Sequence, residues 1–220
     1  MTTDWQTLFP VLLQSFVETI WMVVVTMLVG GLLGLLIGVA LYVTRRGNLL
    51  ENLLVFNVLN VVVNLIRPIP FIIFITAIGP LTLLVMGVTI GTPAAIFPMT
   101  LMAAFVIGRV VEQNLVSVDP GVVEAARSMG ASRLGIITKV IIPEALGPLI
   151  LGYTFMFIAV VDMSAMAGYI GGGGLGNFAI SYGYQQFDWR VTWVSVAIIV
   201  VIVQGAQLLG NALARKVMHR

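Results

Sequence analysis

Two stretches of this chain carry no charge, and they decide what it can become. One lies between Glu18 and Arg45, and the other runs from Pro68 to Gly108. A membrane crossing needs about 20 consecutive apolar residues. The first stretch therefore reads as one crossing, while the second is too long to be only one. Charged residues make up 9% of the 220 residues and apolar residues 60%. A soluble domain carries roughly 25% charge, so this chain cannot cover a water-facing surface and belongs in lipid.

Gly79-Pro80 and Gly91-Thr-Pro93 punctuate the longer stretch, and such pairs mark turns. The reading that follows is an all-α polytopic membrane protein with five transmembrane helices. The first span is the run between Glu18 and Arg45. The second starts after Glu51, passes through Arg67-Pro-Ile-Pro70 and ends near Ile78. Residues 80–92 form an outer loop or interfacial segment. The third span covers about Pro93 to Leu115, the fourth Ile141 to Ala165 and the fifth Val191 to Leu213. Residues 1–220 are expected to be a single transmembrane domain, with a core over about 15–214 and one cytoplasmic loop over about 119–143.

The eleven basic residues orient these spans. With the amino terminus outside, Arg45, Arg46, Arg109, Arg127, Arg133, Lys139, Arg215, Lys216 and Arg220 all face the cytoplasm. Arg190 then lies outside and Arg67 within the bilayer. Nine of eleven inside follows the positive-inside bias of membrane proteins. The start of the chain lacks a basic segment followed by a short apolar one, so no cleaved signal is expected. There is no cysteine, which excludes disulfides and thiolate chemistry. The single histidine, His219, reads as a solvated tail residue rather than a metal ligand.

One segment does not suit lipid. Glu124-Ala-Ala-Arg-Ser-Met-Gly-Ala-Ser132 is polar and small, and it is closed by Pro143-Glu144. Asp119 can cap a helix, and Pro120 fits the first helical position. Gly130 supplies a left-handed stop, and Ser132 can cap a second helix that leads to Lys139 until Pro143 interrupts it. A helix of about nine residues is not stable alone in water, so it must lean on something. Val122, Val123, Ala125, Ala126 and Met129 give it a small apolar surface, and Glu124 and Arg127 add charge. It is either a loop packed on its own spans or a docking helix for a soluble subunit.

These residues resemble the EAA loop of ABC importer permeases. The match is Glu124, Ala125, Ala126 and Gly130, with Ile142-Pro143 where the family has Leu-Pro. Val43-Thr-Arg45, Asn64-Leu-Ile-Arg-Pro-Ile-Pro-Phe71, Ser164-Ala-Met166, Gly172-Gly-Gly-Leu-Gly176 and Tyr182-Gly-Tyr184 extend the likeness to the methionine branch of these permeases. The resemblance implies that Val122 to Arg127, Met129 and Gly130 couple the spans to ATPase subunits. It implies a homodimer, two ATP-binding cassette subunits in the cytoplasm, and an extracytoplasmic binding protein, a lipoprotein by family habit. It also implies a bacterial inner-membrane location and import of methionine, another amino acid or a related small solute. ATP and Mg belong to the partner subunits: this chain has no phosphate loop, since the glycine run Gly171 to Gly176 lacks a following lysine.

The remaining polar groups are read by their position in the spans. Ionisable side chains in lipid usually face a cavity or a partner. Arg67 and Asp162 sit at similar depth in the outer half of the bilayer and are expected to pair, within one chain or across a dimer. With Met163, Ser164 and Met166 they are candidates for the translocation path or its gate; an arginine that merely ties two spans together is the plainer alternative for Arg67. Asn57, Asn60 and Asn64 share one helix face and read as helix-to-helix glue. Gly30, Gly31, Gly34 and Gly38 read as a close-packing stripe. Tyr169, Phe178, Tyr182, Tyr184, Trp189 and Trp193 suggest an interfacial aromatic belt, and the glycine run a floor beneath a docked binding protein.

Other functions are disfavoured. An ion-coupled secondary carrier usually contains internal repeats, and the two halves show none. An intramembrane enzyme would need a catalytic group, but Ser164 has no histidine to activate it and Asp162 stands alone. No catalytic, cofactor-binding, metal-binding or nucleic-acid-binding residues are expected.

Overall fold

The computed structural model describes residues 4–218; His219 and Arg220, with the roles expected of them, lie outside the described residues. Among the described residues there are helices and no strands. Four helices are long and apolar enough to cross a membrane: Trp5–Thr44, Thr92–Val116, Leu146–Gly172 and Trp189–Met218. Among the described residues there is also one broken pair, Leu53–Ile66 and Phe71–Ala77, bent by 106°, which makes a fifth crossing if the two halves form one span.

The bend falls at the prolines of the expected second span, and the pair ends at Ala77, beside the expected limit near Ile78. Leu53–Ile66 has 14 residues, about 21 Å of helix at 1.5 Å per residue, which is short of the roughly 30 Å hydrocarbon core. Pro68 and Pro70 end it because neither has an amide to continue the ladder. Pro70 takes an extended backbone (ψ 134°), and its carbonyl accepts from the amides of Ile73 and Phe74. The chain therefore restarts in a new direction. The segment expected as an outer loop or interfacial piece holds a short helix, Gly79–Met86, stopped by left-handed Gly87.

The first helix also begins earlier than the uncharged run suggests. Asp4 caps it, accepting from the amide of Gln6 at 3.1 Å. It continues through Pro10 and a π turn at Thr26–Gly30 to Thr44.

By contacts the chain forms two compact units. One comprises Met1–Gly30, Ile69–Ala103 and Met156–Ala206; the other comprises Gly31–Pro68, Ala104–Phe155 and Gln207–Arg220. The first unit has a core of Leu12, Leu175, Phe178 and Val191, with Phe16, Tyr182 and Ile198 packed against it. Phe178 is fully buried and stacks at 5.4 Å on Tyr182, so it belongs to this core and not to an aromatic belt. Tyr169, Tyr184, Trp189 and Trp193 are exposed, as a belt requires.

The second unit shows why the first helix carries glycines. A Cβ on Gly34 would come within 2.6 Å of Ile107, and one on Gly38 within 2.5 Å of Val111. The expected close-packing stripe is thus used against the Thr92–Val116 helix. From the Leu146–Ala167 helix the Tyr153 hydroxyl donates to the Gly31 carbonyl at 2.8 Å.

Candidate functional site: the coupling helix and the polar groups of the spans

The polar segment folds as its residues dictate. Asp119 accepts from the Gly121 amide at 2.8 Å, and Pro120 occupies the first turn of a nine-residue helix, Pro120–Ser128. Val118 and Val123 hold the positions of a hydrophobic staple, and both are buried. At the other end Gly130 has φ 76°. The Ala131 amide reaches back to the Ala126 carbonyl at 3.1 Å and the Gly130 amide to that of Arg127 at 2.9 Å, the paired bonds of a Schellman stop. Ser132 then caps the next helix, accepting from the Gly135 amide at 3.2 Å.

The expected break at Pro143 is displaced. Arg133–Ile136 runs into a π turn at Ile137–Ile141, and Pro143 falls in the first turn of Ile142–Glu144. The π turn shifts the helical register ahead of the ring, and a first-turn proline needs no amide bond. The helix yields at Ala145 instead.

The helix Pro120–Ser128 is held by one face only. Val123 and Ala126 are buried, whereas Val122, Glu124, Ala125, Arg127 and Gly130 are exposed. Met129 at its end is 81% exposed, high for a large apolar side chain beside charged residues. Glu124 and Arg127 form no ion pair: among the described residues the one ion pair joins Arg109 to Glu112. The segment therefore packs on its own chain through Val123 and Ala126 and leaves its other face exposed.

Neither Arg67 nor Asp162 takes part in an ion pair among the described residues. Both are exposed. Arg67 lies at the end of Leu53–Ile66, beside the break. Met163 and Ser164 are buried, and the Ser164 hydroxyl donates to the Val161 carbonyl at 2.6 Å. Met166 is half-buried. Arg67 belongs to the second unit, and Asp162, Met163, Ser164 and Met166 to the first. A cavity of about 300 Å³ in the first unit is lined instead by Ile75, Thr76, Thr82, Ala95, Ala167 and other small residues, and by none of the five candidates.

Two polar clusters went unassigned in the sequence. In the second unit Arg109, counted above only for its charge, donates to Asn60 at 2.6 Å and Asn64 at 2.7 Å and pairs with buried Glu112. The asparagine face is helix glue as expected, and the arginine is what it binds. In the first unit the glycine run reverses the chain at the end of the Leu146–Gly172 helix. Gly171, Gly173 and Gly174 have positive φ, and Glu18 accepts from the Gly174 amide at 2.7 Å. Thr19 accepts from the Leu175 amide at 2.8 Å. Those are the free amides at the start of Gly174–Phe178, capped by side chains from another helix. No local pattern reveals them, because the partners lie 156 residues apart.

A family model described as the binding-protein-dependent transport system inner membrane component matches residues 30–219. The chain belongs to this family. It is 44% identical over 209 residues to the probable D-methionine transport system permease protein MetI of Vibrio cholerae, covering 95% of this chain and 93% of that one. It is 41% identical over 180 residues to the methionine import system permease protein MetP of Bacillus subtilis, covering 82% and 81%. Its fold matches the inward-facing MetNI methionine ABC transporter with a TM-score of 0.94 at 36% identity, over 98% of this chain and 99% of that one. An amino-acid ABC transporter solved with histidines shares the fold, with a TM-score of 0.80 at 21% identity over 98% of this chain and 100% of that one. The chain is thus an inner-membrane permease subunit of the ABC importer class, as the EAA resemblance implied.

Proposed function

We propose that this permease carries methionine inward as a homodimer, and that Pro120–Ser128 passes the closure of two ATPase subunits to the spans. The observation that carries the coupling role is the helix itself. It has firm caps, one buried face, and an outward face of Val122, Ala125 and Met129 that nothing in the chain covers. A rigid short rod with a free small-residue face suits a partner groove, since alanines let a backbone approach and methionine fills gaps. Methionine as the solute is supported by the relatives' own names and by the match to a methionine transporter.

In this reading residues 1–220 form one permease domain, with the amino terminus outside and the Asp119–Pro143 loop in the cytoplasm. ATP and Mg sit on the partner subunits, and a binding protein delivers the solute from outside. Arg67, Asp162, Met163, Ser164 and Met166 stay candidates for the path, with any Arg67–Asp162 pair formed between copies. ATP binding draws the two coupling helices together and turns the spans outward; hydrolysis returns them.

The test is uptake of labelled methionine into vesicles holding the chain with its ATPase and binding protein. Gly130→Pro and Glu124→Lys should leave the permease folded and abolish uptake. Full transport in both variants overturns the coupling role. Uptake of a different amino acid in place of methionine overturns the solute.

A further inference from the structure

Beside the buried Val123 of the coupling helix lies a cavity of about 270 Å³. Arg45 and Arg46 line it from the turn that follows the first helix, and Glu124 and Arg127 line it from the coupling helix. Three guanidiniums against one carboxylate leave a net charge of +2 (three minus one) around it. The side chains of all three arginines are without ion pairs among the described residues. Glu51, the next acid along the turn, is engaged by the Gly47 amide at 3.0 Å and does not line the cavity. The floor is apolar: Tyr42, Val118 and Val123 all contribute and all are buried.

We propose that this cavity holds the phosphate headgroup of an anionic phospholipid of the inner membrane. Arg45 comes directly after Thr44, the last residue of a membrane-crossing helix, which is where headgroups lie. Guanidinium is the side chain best suited to phosphate, because its fork of donors matches the phosphate oxygens. Basic pockets between spans select anionic headgroups by the same chemistry, and each arginine near such a surface contributes about a fivefold gain in binding. The coupling helix contributes buried Val123 and, at the rim, exposed Glu124 and Arg127, whereas Val122, Ala125 and Met129, the face left for a soluble partner, do not line the cavity, which favours lipid over an acidic partner side chain. A bound phosphate would tie Arg127 of that helix to Arg45 and Arg46 at the end of the first span. The inference needs only that the loop lies at the membrane surface, so it can fail without the coupling role failing.

The full-length chain is purified from membranes containing phosphatidylglycerol, cardiolipin and phosphatidylethanolamine, and retained lipids are counted by native mass spectrometry. Wild type should keep an anionic lipid and little phosphatidylethanolamine. R45Q/R46Q should lower that retention at least tenfold, and R215Q/K216Q, which removes equal charge outside the cavity, should leave it unchanged. Equal retention in R45Q/R46Q, or equal loss in R215Q/K216Q, overturns the site. Displacement of the lipid by millimolar inorganic phosphate means a phosphate site instead. Release of the lipid when the ATPase subunit binds means that the partner owns the cavity. If R45Q/R46Q fails to insert, equal retention of phosphatidylethanolamine and phosphatidylglycerol by wild type is sufficient to overturn the proposal.

Discussion

The coupling helix and the glycine reversal after the Leu146–Gly172 helix are both short interruptions between long apolar helices, yet they are held in opposite ways. The ends of Pro120–Ser128 are fixed by its neighbours in sequence: Asp119 caps it, Gly130 stops it and Ser132 restarts the chain. The reversal at Gly171–Gly174 is held by Glu18 and Thr19, far away in sequence. Glycine itself has a different task in each. Around Gly130 a Cβ would find open space, so that glycine serves only its positive φ. A Cβ on Gly176 would lie 2.6 Å from the Cα of Ala165 and closer still to its carbonyl oxygen, so that glycine serves close packing. The exposed loop is capped locally, and the buried reversal borrows its caps from another helix.

The largest expected effect comes from turning that packing against itself. Gly176→Ala should destabilise the permease by about 3 kcal/mol or more, at or beyond the upper end for overpacking, because the obstacle is backbone that cannot swing aside. Gly130→Ala meets no obstacle and suffers only the left-handed backbone, about 1–2 kcal/mol. Thermal unfolding of the two variants in the same detergent measures both. A Gly176 variant as stable as the Gly130 variant would erase the contrast.

Next comes the borrowed cap. Glu18→Ala leaves the Gly174 amide without its acceptor in a part-buried junction, a loss of about 1–3 kcal/mol. Glu18→Gln keeps an acceptor oxygen and should recover most of it. Hydrogen exchange at Gly174 should rise in Glu18→Ala while exchange at Gly121 stays as in wild type. Equal loss in both Glu18 variants would mean that the charge, rather than the hydrogen bond, holds the reversal.

The same contrast explains what the sequence made legible. Uncharged runs locate the long helices because lipid leaves little choice: Thr92–Val116 and Trp189–Met218 fall within a few residues of their expected limits. The coupling helix was readable to the residue because its caps are local. The bend of 106° at Pro68 and Pro70 was signalled by the prolines, but its size was not, since it depends on what the second half packs against. Arg109 was misread as a mere cytoplasmic charge because its partners, Asn60 and Asn64, sit on another helix. The path candidates Arg67 and Asp162 were chosen for being costly in lipid, and cost alone names no partner.

The smallest expected effect tests the coupling helix at its own local support. Asp119→Ala removes the side chain that accepts from Gly121 and should cost about 1 kcal/mol; Asp119→Asn restores an acceptor and should cost a few tenths. Because Val123 and Ala126 still anchor the helix, the loss should appear as faster exchange at Gly121 and Val122 with little change in global unfolding. The reversal, which shares none of these bonds, should be untouched. If uptake falls in Asp119→Ala and recovers in Asp119→Asn while global stability is constant, transport depends on the order of this one helix end. If uptake is the same in all three proteins, the partner itself orders the helix on docking, and the caps serve the free permease rather than the power stroke.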